Sequence, residues 1–232
     1  MYDPDLNAAP INPLPPVVVF LALAIAGPEI VFQLASAGMA GGQNGVGWRM
    51  SAVESLGFFD QLFEYARSTG VYSARSLARF VTFPFVHFSA VHAGFATVMI
   101  LALGKMVAER FSAASVLVLF VASSAAGALC YGLILETRFP LIGAYPAVYG
   151  LLGAYTWVLW LHADATGESR LRAFTLVALL LGLQLLFQVF FGGRNDWIAD
   201  LGGFCTGFAL SFVLGPDGAR RIRGWLGRMR QR

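Results

Sequence analysis

The chain has 232 residues, of which 57% are hydrophobic and only 12% charged, and its formal net charge is +3. That balance excludes a water-soluble globular domain: several apolar runs are longer than an ordinary core helix, which makes this a polytopic membrane protein. The small positive charge comes mostly from the C-terminal tail and carries no information about the fold.

Residues 1–16 read MYDPDLNAAPINPLPP, with two Asp and no Lys or Arg, so the apolar run from about 16 to 35 is a retained helix and not a cleaved signal peptide. Glu29 follows Gly27 and Pro28 within it, which predicts a kinked helix carrying a carboxylate near its outer third, in lipid-facing territory. Residues 36–79 make a long outer segment that opens on the turn-rich GGQNGVGWR. Ser51 followed by Glu54 forms a capping-box pattern, and Val53, Leu56, Phe59, Leu62, Phe63 and Ala66 recur at helical spacing. An amphipathic helix is expected there, either lying in the membrane interface or packed on the outer ends of the bundle.

Five further apolar spans follow at about 86–107, 113–135, 146–161, 172–191 and 197–214, each near the roughly 20 residues a bilayer requires. The expected architecture is an all-α membrane protein with a six-transmembrane-helix bundle over 17–214, an N-terminal tail over 1–16 and a basic tail over 215–232. That tail carries Arg220, Arg221, Arg223, Arg228, Arg230 and Arg232 against Asp217, which predicts a cytoplasmic location. With six spans the N-terminus is then cytoplasmic too. Lys105, Arg110, Arg170 and Arg172 fall in the inner loops, and only Arg138 and Arg194 in the short outer ones. Beside a membrane span, an Arg-rich tail with Trp225 and Leu226 suits anionic lipid headgroups better than nucleic acid.

The polar residues inside the spans are few. Cys130 and Cys205 read as small buried apolar residues, not as a disulfide or a metal site. Ser89, Ser123, Ser124 and Ser211 are each expected to bond back to their own helix. His87 and His92, five positions apart on a helix, would stand about 140° apart and make a poor zinc pair. Gln184 and Gln188 lie one turn apart in the fifth span, where interhelical hydrogen bonding accounts for glutamine more often than substrate contact does. Ala147, Gly150, Gly153 and Ala154 line the fourth span with small residues, and Gly203 and Gly207 form a GxxxG face on the sixth. Close backbone approach between those spans is expected, with homodimerisation as the other use of such a face.

Three separated motifs resemble the rhomboid family of intramembrane serine proteases. Arg79-Phe-Val-Thr-Phe-Pro-Phe-Val-His87 leads into HFSAVHAGFA, similar to the family's RxxTxxFxH entry and HxxxxHxxxN span, with His87 and His92 at the histidines and Ala96 at the asparagine. GAYPAVYGLLGA is similar to the GxSG nucleophile loop, with Gly143, Gly150 and Gly153 in place, Tyr145 at the serine and Pro146 at the following glycine. DLGGFCTGF resembles the HxxGxxxG helix, with Gly203 and Gly207 matched and Asp200 at the histidine. Gly104 and Glu109, in LGKMVAERF, add a weaker match.

In that family the serine attacks a peptide carbonyl, the histidine of the last span takes its proton, and the His and Asn of the second span hold the oxyanion. This chemistry needs an alcohol, a nearby base and donors aimed at the developing charge. Tyrosine at 145 places its hydroxyl beyond a rigid ring, and its phenolate, with a reference pKa of about 10, is a good leaving group. Aspartate, with a reference pKa of about 3.9, is normally too weak a base to activate a hydroxyl. Ala96 offers no donor, and Pro146 removes an amide next to the former nucleophile while fitting the first turn of a helix.

If the family packing holds, His92, Tyr145 and Asp200 converge from three helices and are expected to form a hydrogen-bonded cluster, the alternative being an Asp200 that reaches water in an outward cavity. The resemblance therefore implies a rhomboid-like protein without proteolytic activity that binds membrane helices of client or partner proteins. The alternative is an active intramembrane serine endopeptidase. A transporter is disfavoured by the scarcity of ionisable residues and the lack of a duplicated half. No cofactor, metal or nucleic-acid partner is indicated, and the compact six-span form suggests a bacterial inner membrane.

Overall fold

The computed structural model describes residues 13–191, 195–216 and 218, with the side chains of 187–189 and 191 outside the description. The Arg-rich tail, Arg194 and the side chain of Gln188 therefore lie outside the described residues. Six long helices build the body: α1 (Pro16–Ser36), α6 (Ala90–Ala108), α7 (Ala113–Ile134), α8 (Tyr145–Thr166), α9 (Thr175–Phe191) and α10 (Trp197–Leu214). Between α1 and α6 lie the short helices α2 (Gly42–Gly45), α3 (Trp48–Leu56), α4 (Asp60–Thr69) and α5 (Ala74–Thr82), followed by a 3-10 turn over Phe83–Phe85. Among the described residues, α1, α6, α7 and α10 are long and apolar enough by composition to cross a membrane. The remaining two depart for different reasons. α9 has only 17 residues, whereas α8 has 22 and is the central helix, with Tyr, Thr, Trp and Gly facing protein on most sides.

α8 runs through the middle of the bundle, and Ala147, Leu151, Leu152, Ala154 and Trp157 are wholly buried. Its crossing with α10 is a backbone-to-backbone packing. A Cβ at Gly203 would collide with the Pro146 carbonyl oxygen, and one at Gly207 with the Gly150 carbonyl oxygen. The GxxxG face is thus used within the chain, where van der Waals contact between closely approaching backbones replaces the hydrophobic drive that lipid cannot supply. Gly150 also makes room for Ser123 of α7, whose hydroxyl would meet any Cβ added there.

The helix limits follow local chemistry. α6 begins at Ala90 and not near 86 because the Ser89 hydroxyl caps it, accepting the His92 N–H at 3.2 Å. Gly167, at φ 72°, ends α8 in a left-handed cap. α1 continues through Pro28, and Glu29 does not face lipid: it is 6% exposed and paired at 2.7 Å with Arg49. Gln33, one turn on, donates to the same carboxylate at 2.7 Å. A charge inside an apolar helix needs such partners, and the outer segment supplies them.

The outer segment is not one helix. Ser51 lies within α3, whose N-cap is Gly47, so the Ser51–Glu54 pattern is no capping box. The apolar periodicity from Val53 to Ala66 is interrupted at Gly57-Phe58-Phe59, because Phe58 leaves the helix to exchange two hydrogen bonds with Leu141, at 3.1 and 2.8 Å. Arg79 compensates the broken end of α3 by donating to the carbonyls of Gly57 and Glu54. Phe58, Phe63, Phe80 and Tyr131 then form an aromatic cluster that seats α4 and α5 on the end of α7, with ring centroids 4.8 to 6.4 Å apart.

Two other expectations need correction. Cys130 is only partly buried and Cys205 is exposed on the outside of α10, so neither is a core residue. Of the four serines, Ser124 and Ser211 do bond back to their helices, at 2.8 and 2.7 Å, but Ser89 is a cap, and the buried Ser123 hydroxyl has no hydrogen-bond partner among the described residues.

Candidate functional site

The site lies where the starts of α6, α8 and α10 meet. Gly143, at φ 98°, turns the chain into α8, and its N–H donates to the Phe83 carbonyl at 3.1 Å. Only glycine fits here, since a Cβ would stand 2.7 Å from the His92 ring in addition to the backbone strain. Pro146 occupies the first turn of α8, where no amide is missed, so Tyr145 becomes the first helical residue.

A cavity of about 120 Å³ opens at this point, bordered by His92, Leu141, Ile142, Tyr145, Pro146, Gln184, Asp196 and Asp200. The three residues expected to converge therefore do so around one cavity, where Gln184 of α9 joins them as the partner of Asp200. Tyr145 and His92 stack almost parallel, at 5.0 Å between centroids and 13° between planes. Asp200, 1% exposed, takes its hydrogen bond from Gln184 Nε2, at 2.8 Å to Oδ2, and Gln184 Oε1 accepts the Tyr149 hydroxyl at 3.2 Å. The polar chain thus runs from α8 through α9 to α10. The physical reason is reach: a tyrosine lying flat on an imidazole directs its hydroxyl along the ring axis, while the flexible glutamine spans the gap between helices. Asp200 Oδ1 is buried and has no hydrogen-bond partner among the described residues.

The neighbouring positions brace this arrangement. His87 is not on α6 but in the loop before it, so the angular argument against pairing with His92 does not apply, and the two rings meet edge to face at 5.2 Å. Its Nε2 accepts the Ala144 N–H at 3.2 Å, so Nδ1 carries the ring proton. Burial, followed by the neighbouring His92, pushes the His87 imidazole down to about 3, leaving it neutral. The His87 carbonyl accepts from Arg49 at 2.7 Å, which ties the loop through Arg49 to Glu29 of α1. Arg79 holds α3 as described, Ala96 is fully buried one turn below His92, and Glu109 lies exposed at the far end of α6. Among the described residues no group of three or more His, Cys, Asp or Glu side chains could hold a metal ion.

Sequence reasoning missed Tyr149 and Arg49. Tyr149 is visible only as one of several aromatics on an apolar helix, and Arg49 sits in a turn-rich segment with no periodic signal. Glu29 carried the only hint, since a lone carboxylate in a span requires a cation from somewhere.

The side chain at the start of α8 is a ring-borne hydroxyl stacked on an imidazole, and the side chain facing it from α10 is a carboxylate already engaged by an amide. No serine is among the described residues that border the cavity.

Comparison with known proteins agrees with this geometry at the level of scaffold. The Rhomboid domain model matches residues 74–217. RHOMBOID-like protein 7 of Arabidopsis thaliana is 29% identical over 143 residues, covering 60% of this chain and 44% of the relative. RHOMBOID-like protein 4 of the same plant is 29% identical over 139 residues, covering 59% of this chain and 34% of its own length. The chain thus spans less than half the length of these curated relatives. A domain match over more than half of the chain, on an all-helical bundle whose α8 and α10 cross through matched glycines, makes this chain a member of the rhomboid family.

Proposed function

We propose that this chain is a proteolytically inactive rhomboid that binds transmembrane segments of client or partner proteins. The observation that carries the reading is the occupation of the nucleophile and base positions by Tyr145 and Asp200, the first stacked on His92 and the second bonded to Gln184. Among the described residues no serine lines the cavity to exchange a proton with either. A scaffold that keeps a cavity with polar walls from α8, α9 and α10, but not the chemistry, is suited to holding a helix. Both ends of the chain are proposed to face the cytoplasm of a bacterial cell, with the Arg-rich tail on anionic lipid.

The test is incubation of the purified protein with model transmembrane substrates, together with labelling by a fluorophosphonate that reports activated serines. We expect no cleavage and no labelling. Tyr145→Ser alone is expected to stay unreactive, since Asp200 remains a poor base held by Gln184. Cleavage that disappears on mutating Tyr145 would establish an active endopeptidase instead.

A further inference from the structure

The cavity that replaced the catalytic centre has an unmet requirement of its own. Asp200 is 1% exposed, one carboxylate oxygen is filled by Gln184, and Oδ1 is buried with no hydrogen-bond partner among the described residues. Leaving a buried polar atom unpaired in an apolar medium is costly, and in a bilayer no bulk water relieves it. The adjoining space of about 120 Å³ is ample, since a single water occupies only about 10–15 Å³ by such a measure. A carboxamide or hydroxymethyl group fits beside Tyr145 and His92.

We infer that the cavity receives an amide- or hydroxyl-bearing side chain from a client transmembrane helix, hydrogen-bonded to Asp200. This rests on the client-binding reading above and adds the chemistry of the recognised helix. An amide both donates and accepts, so it matches the carboxyl group in either protonation state. A wholly apolar helix would leave Oδ1 unsatisfied and gains nothing at this position. Depth is specified too: Asp200 is the fourth residue of α10, about 4.5 Å along the axis from Trp197, so the client's polar residue must lie within the first turns below the end that carries α2 to α5. Entry passes α9, whose Leu179, Leu183 and Leu186 are exposed and whose Gln184 borders the cavity.

The experiment uses the full chain in lipid nanodiscs and three leucine-based helices of about 20 residues carrying a photoreactive leucine. One has Asn five residues from each end, which makes it independent of orientation, one has a single Asn at the midpoint, and one has none. The first is expected to crosslink with about tenfold higher affinity than the all-leucine helix, equivalent to about 1.4 kcal/mol. The midpoint Asn should behave like leucine, and in Asp200→Leu the first and third helices should be captured to the same extent. Equal capture of the first and third helices by the unaltered protein would overturn the inference and leave client binding standing. A midpoint Asn that binds as tightly as the outer pair would overturn the assignment to this cavity. Capture of none of the three would overturn both readings.

Discussion

A Cβ at Gly207 would run into the Gly150 carbonyl oxygen, whereas one at Gly182, in α9, would meet nothing within 4 Å. The two glycines look equivalent along the chain, and only their neighbours separate them. Gly207→Leu is expected to destabilise the protein by about 1–3 kcal/mol through overpacking, because backbone on both sides cannot give way. Gly182→Ala should be neutral or stabilising by up to about 1 kcal/mol, since alanine is the better helix former. Unfolding in mixed micelles, followed by circular dichroism, would check both, and equal effects would contradict the tight α8–α10 crossing. Asp200 shows the same dependence on surroundings. Its place in the motif is plain in the sequence, but its bond to Gln184 comes from where α9 happens to run.

At the scale of elements, Gln184 links α9 to both of its neighbours at the cavity, since it donates to Asp200 of α10 and accepts from Tyr149 of α8. Hydrogen bonds between membrane helices contribute about 0.6–1.7 kcal/mol each. Gln184→Leu loses both bonds, about 1.2–3.4 kcal/mol together, and is therefore expected to shift α9 toward a displaced position by roughly 8- to 300-fold, read as broadened spin-label distances between α9 and α8. Unchanged distances would mean that apolar contacts alone position this helix. The break between α3 and α4 carries a related lesson. Val53, Leu56, Phe59, Leu62, Phe63 and Ala66 have the spacing of one helix, yet Phe58 pairs with Leu141, more than eighty positions away, and Arg79 caps the interrupted turn. Periodicity reports which face is apolar and is silent about a distant partner for the backbone.

For the molecule as a whole, His87 joins three parts, since its ring accepts from Ala144 at the start of α8, its carbonyl accepts from Arg49, and Arg49 pairs with Glu29 of α1. With a folded value pushed down to about 3, against about 6.5 in an unfolded chain, the folded protein does not take up the proton that the unfolded chain binds. Stability is thus complete above about pH 6.5 and declines as pH falls toward 3, by up to about 1.4 kcal/mol per pH unit from this group. Comparing unfolding at pH 7.5 and 5, the decline should be shallower in His87→Gln, which cannot titrate. Identical slopes would show that His87 is not the group responsible.

Apolar run lengths, the matched glycines and the three rhomboid-like motifs were readable from the chain alone, and they determined the membrane class, the long helices and the family. These properties depend on composition and on spacing within single segments, which the bilayer converts directly into helices because no other backbone state satisfies its hydrogen bonds there. The substitutions at Tyr145 and Asp200 were equally plain. The tertiary structure alone decided what those residues touch: which ring stacks on which, that Gln184 donates to Asp200, and that Glu29 turns inward to Arg49. Such pairings join residues 16 to 53 positions apart or lie across different helices, and they are set by packing distances that no local pattern encodes.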